Sequence, residues 1–82
     1  MKHARKDYDR IQDPAGLIPE DEPVFLLRGQ DMLAPTILRK WANMLMDNDG
    51  DTDMVERAYK QADKMEEWQR KHVSKLPDLP KK

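Results

Sequence analysis

Tyr8 sits in a polar segment, with Lys6 and Arg10 two residues away on either side. A phenol ring flanked by cations suits stacking on a nucleobase while a cation neutralises the phosphate. The other role open to Tyr8 is an apolar contact that docks its segment on a neighbouring element. Arg28, Arg39 and Lys40 interrupt an otherwise apolar pattern further along. Solvation is their ordinary role; in an oligomer they could line a cavity for an anion.

The remaining chemistry-bearing residues point away from catalysis. From Leu45 to Glu56 the sequence reads LMDNDGDTDMVE. Its acids and Gly50 fall in the register of a calcium-binding EF-hand loop, but the first ligand position is Leu45, so the expectation is a solvated, well-capped acidic turn and no metal site. His3 and His72 lack metal-ligand spacing, and the chain has no cysteine, so zinc is not expected. The lone serine, Ser74, lies beside a proline-broken tail, and the adjacent Glu66 and Glu67 point in different directions on a helix. No glycine-rich phosphate loop is present. The expectation is a non-enzyme with no cofactor.

The elements that must position these residues are helical. Val24 to Asp47 is the longest apolar-periodic stretch: Leu26, Leu27, Leu33, Ala34, Ile37, Leu38, Trp41 and Leu45 fall near helical spacing. Pro35 lies within it, so the pattern predicts one long helix over 23–47, kinked at Pro35. Asn48, Asp49, Gly50 and Asp51 form a turn in which Gly50 can take a left-handed conformation. Thr52 or Asp53 can cap a second long helix over 52–73, carrying Val55, Ala58, Tyr59, Ala62, Met65 and Trp68 on one face. So short a turn makes the two helices antiparallel neighbours. Before them, 4–12 reads as a short helix and 13–22 as a loop in which Leu17 and Ile18 plug the core. After them, Pro77 and Pro80 make 74–82 an extended tail. The fold class is all-α, with 1–82 as a single small domain.

Composition sets the outer bounds. A chain of 82 residues with 38% charged and 38% apolar side chains buries a thin core. Without cysteine, oligomerisation is the expected support. A net charge of −1 argues against non-specific binding to duplex DNA. The apolar runs are too short for a membrane span and no secretory segment opens the chain, so a cytoplasmic setting is expected.

The run YDRIQDPAGLIPEDEPVFLLRGQDMLAP, followed by LRKWA and MEEWQ, resembles a family of small phage proteins, the anti-CBASS sponges. The resemblance covers Tyr8 to about Pro80. It implies a short first helix anchoring two long antiparallel helices, a kink in the second helix, and a homohexamer. It also implies binding of cyclic di- and trinucleotide messengers, without cleavage, in the host bacterial cytoplasm, so that a CBASS effector is not activated. The family's base-stacking tyrosine matches Tyr8. The family also has a ligand-contacting lysine near the start of the second helix. Here that segment reads Glu20, Asp21, Glu22, Pro23, which leaves the cation to Lys6, Arg10 or Arg28. The alternative expectation is a small helical phage adaptor that binds a host or virion protein through its apolar helix faces.

Overall fold

The structure is a computed structural model and describes residues 2–8 and 13–79. Contacts divide the chain into two compact units, Met1–Leu26 with Asp78–Lys82, and Leu27–Pro77.

The second unit is a pair of packed helices, α1 (Ala34–Asp47) and α2 (Thr52–Lys71). Leu38, Ala42 and Leu45 recur at helical spacing on α1, and Val55, Ala58, Tyr59 and Ala62 do so on α2. These faces meet: Ala42, Val55 and Ala58 are buried together, with Leu38, Leu45 and Tyr59 packed around them. Arg39 pairs with Asp63 and Glu66, while Asn43 accepts from the Tyr59 hydroxyl. Partners thus run backwards along α2 as α1 advances, so the helices are antiparallel. Among the described residues the buried hydrophobics are four alanines and one valine, and no large side chain is fully buried. Small residues let the two backbones approach closely, but they remove little apolar area from water.

The kink expected at Pro35 is not there. α1 begins at Ala34, with Leu33 as N-cap and Pro35 in the first turn. A proline in the first turn loses nothing, because the first N–H groups of a helix have no intrahelical partner. Gly29, and Asp31 at a turn, leave 25–33 non-helical: Asp31 accepts from Leu33 N–H on its carboxylate at 2.8 Å and from Ala34 N–H on its carbonyl at 3.0 Å. This segment is held instead by pairing with Lys75, which donates its N–H to Gln30 O at 2.9 Å and accepts from Met32 N–H at 3.0 Å. The Gln69 side chain donates to the carbonyls of Gly29 and Asp31, both at 2.9 Å. Leu26 and Trp41 are exposed, so they are not the core residues their periodicity suggested.

The turn between the helices also differs from expectation. Asp49, not Gly50, takes the left-handed conformation, with φ of 56°. Gly50 N–H donates to Leu45 O at 2.8 Å and Asp49 N–H to Met46 O at 3.1 Å, which is the bond pattern of a Schellman cap with Asp49 at C′. Gly50 is needed for space: a Cβ there would lie 2.8 Å from Leu45 O. Asp51 rather than Thr52 or Asp53 caps α2, accepting from Asp53 N–H at 2.8 Å and Met54 N–H at 3.2 Å. Asp51→Ala is expected to cost about 1 kcal/mol in urea unfolding. Asp49→Gly is expected to add up to about 1 kcal/mol by removing the left-handed Cβ penalty. No difference between these variants and wild type would contradict the assigned cap roles.

Arg39 joins the two helices, with its Nη2 2.7 Å from Asp63 Oδ1 and 2.5 Å from Glu66 Oε1. The hydrogen bond from Arg39 is the main cause that holds the Glu66 carboxyl below its ordinary value. A carboxylate whose pKa is lower folded than unfolded stabilises the fold above its ordinary value and loses that contribution as pH falls through the lowered one. The melting temperature of wild type should therefore fall more steeply than that of Glu66→Gln below about pH 4.3, modestly because the pair is solvent-screened. Parallel melting profiles for the two proteins would remove this role from Glu66.

In the first unit, β1 (Lys2–His3) and β2 (Pro23–Val24) pair in parallel, so the chain carries a small strand pair in addition to its helices. A 3-10 turn covers Lys6–Tyr8 where a helix over 4–12 was expected; residues 9–12 lie outside the described ones. A segment this short gains few bonds for the dihedrals a helix nucleus must fix. In the loop from Asp13, the carboxylate accepts from Leu17 N–H at 3.2 Å and Ile18 N–H at 3.0 Å, and Gly16 is left-handed at φ 63°. Leu17 is exposed and does not plug a core.

Candidate functional site

Tyr8 closes the 3-10 turn, its N–H donating to Arg5 O at 3.1 Å. That turn sets the Arg5 side chain over the ring, with the guanidinium carbon 4.4 Å from the ring centroid. Asp7 in turn orients the guanidinium, accepting from Arg5 Nε at 3.1 Å and Nη2 at 2.7 Å. The hydrogen bond to Asp7 is the first of the causes that raise the Arg5 pKa above its ordinary value, so the cation beside the ring keeps its charge. Tyr8 is half-buried. A ring with a fixed cation against it can accept a base or an apolar group on its remaining surface and offer the charge to a phosphate.

Of the cations expected around Tyr8, Lys6 shares its turn, although its side chain lies outside the described part, and Arg10 lies wholly outside it. Arg5 was missed. Its signal was its spacing, three residues before Tyr8, which is one 3-10 turn.

Arg28 belongs to the other compact unit, where it lines a cleft of about 320 Å³ with Gly29, Gln30, Gln61, Lys64 and Trp68. Gln61, Lys64 and Trp68 are spaced i, i+3, i+7 on α2 and so share a face. Trp68 is 40% exposed, and its indole stacks on His72 with centroids 4.0 Å apart and the rings 9° from parallel. His72 Nδ1 donates to Trp68 O at 2.9 Å, which holds the imidazole in place. The apolar periodicity of α2 assigned Trp68 to packing and passed over the cleft, because the opposite wall comes from a non-helical segment forty residues earlier. In the acidic turn, Asp51 is engaged as the cap of α2 and Asp49 forms the Schellman turn.

From the N-cap of α1 onward, Leu33, Ile37, Trp41 and Met44 follow one another at spacings of four, four and three, and each is at least 43% exposed. They form an apolar stripe distinct from the Leu38, Ala42, Leu45 face. Among the described residues, no helix is long and apolar enough to cross a membrane. Comparison with protein-family models, with curated proteins and with solved structures gave no match.

Proposed function

We propose that this protein is a phage anti-defence protein that binds cyclic di- and trinucleotide messengers and withholds them, uncleaved, from a bacterial CBASS effector. The observation that carries this is Tyr8 with Arg5 against its ring, an aromatic and a cation in one turn. It supports the stacking role that the resemblance assigns to Tyr8. Sequestration needs no catalytic group: stacking, charge neutralisation and burial suffice, and potency follows affinity and protein concentration.

The protein acts as a homo-oligomer, in this reading a hexamer. The thin core of alanines and one valine leaves the helical pair with little apolar burial of its own, and the α1 stripe offers a further face to bury. The same stripe favours a second reading, a helical adaptor that docks on a host or virion protein through Leu33, Ile37, Trp41 and Met44. Light scattering separates them: a closed hexamer supports the sponge, a stable monomer the adaptor.

The activity test uses a messenger-activated effector nuclease in vitro. Added protein should silence the nuclease, and heating the mixture to denature the protein should restore activity with the original messenger. Silencing that heating fails to reverse would mean the messenger is destroyed, and would replace sequestration with catalysis.

A further inference from the structure

We infer that the cleft between the 28–30 segment and α2 is a second, separate binding site for a single nucleotide unit carrying a phosphate. This goes beyond the sequestration of cyclic messengers and does not rest on it. The six lining residues are Arg28, Gly29, Gln30, Gln61, Lys64 and Trp68. In a chain with sixteen carboxylates against fifteen Lys and Arg, this lining holds two cations, two amides and an indole, and no carboxylate.

The walls are built to stay in place. Gln69 ties the carbonyls of Gly29 and Asp31 to α2, and Lys75 pairs with the same segment on either side of Asp31. Gly29 passes close to the indole: a Cβ there would lie 3.9 Å from the six-membered ring of Trp68. His72 stacks on that indole and fixes its orientation. The indole face that His72 does not cover supplies a stacking surface for a base, amides supply donors and acceptors for its edge, and Lys64 supplies the charge for a phosphate. Lys64 makes no ion pair among the described residues, whereas Lys60, Arg70 and Lys71 on the same helix each pair with a glutamate. A volume of about 320 Å³ lies at the small end of small-molecule sites, which run from about 300 Å³ upward. It suits one base with its phosphate and not a whole cyclic oligonucleotide.

That nucleotide unit can be a free nucleoside monophosphate or the phosphorylated end of an oligonucleotide. The test follows the two indole N–H resonances of the full chain, assigned with Trp41→Phe, during titration with AMP, adenosine, inorganic phosphate and a 5′-phosphorylated adenine dinucleotide. AMP should shift the Trp68 signal saturably and leave Trp41 in place. Adenosine and phosphate alone should each bind at least about tenfold more weakly, and Lys64→Gln should weaken AMP by about the same factor. The dinucleotide binding more tightly than AMP would identify an oligonucleotide end as the ligand; equal or weaker binding would identify the mononucleotide. Tyr8→Ala should leave AMP binding unchanged, which keeps this site distinguishable from the one at Tyr8. Absence of a saturable Trp68 shift, equal binding of AMP and adenosine, or full AMP affinity in Lys64→Gln would overturn the assignment.

Discussion

Ala58→Leu should lower the melting temperature by roughly 4–24 °C. Ala58 is 3% exposed, packed with Ala42 and Val55 where the two helices meet. Leucine adds three carbons at a contact whose closeness depends on alanine. Overpacking of this kind costs about 1–3 kcal/mol and occasionally more. In a domain of this size each kcal/mol shifts the midpoint by about 4–8 °C. The same leucine at Lys40, exposed on α1, should change stability little. The comparison is decisive because leucine is a good helix former, close to lysine and only slightly below alanine, so a large loss confined to Ala58 measures packing and not helix formation. An Ala58→Leu protein as stable as wild type would mean the helices do not meet through this face.

Tyr8→Ala should weaken binding of a cyclic dinucleotide at least about fivefold while leaving the helical pair folded. Base–aromatic stacking is worth about 1–3 kcal/mol per base, which converts to about 5- to 150-fold in affinity. Tyr8 contributes nothing to the Ala42, Val55, Ala58 cluster, so melting of the α1–α2 pair should stay near wild type. Tyr8→Phe keeps the ring and should retain most of the affinity. Arg5→Gln should fall between, because it removes the charge beside the ring but not the ring. If the alanine variant binds as tightly as wild type, Tyr8 is a docking residue of its turn and the ligand lies elsewhere.

Both predictions depend on how local signals in the sequence resolve in the fold. The packed helical pair was legible because two apolar faces of period 3.6 are joined by a turn too short for anything but antiparallel neighbours. Pro35 was misread because proline in an apolar window has two physical solutions, a kink in a helix interior or a place in its first turn. The periodicity of Leu26, Leu27 and Leu33 suggested the first. The weight belonged to Gly29 and to Asp31, whose carboxylate binds Leu33 N–H just before the helix. The turn shows a similar ambiguity: Gly50 looked like the left-handed residue, but its role is to let Leu45 O approach, and Asp49 carries the positive φ.

Around the candidate sites, sequence spacing reveals only what lies on one element. Arg5 and Tyr8 are one 3-10 turn apart, and Lys64 and Trp68 share a helical face, so each pair could have been found from spacing. Arg28 meets Lys64 and Trp68 only because Gln69 and Lys75 hold a non-helical segment against α2. No periodicity encodes that meeting. A site formed across subunits would be just as invisible in the sequence of one chain.

The most direct test of sequestration is calorimetric titration of the purified protein with a panel of cyclic di- and trinucleotides, followed by denaturation and chromatography of the released ligand. Tight binding, with the same cyclic nucleotide recovered intact, is the predicted result. Recovery of a linear product, or no heat of binding with any member of the panel, would contradict it.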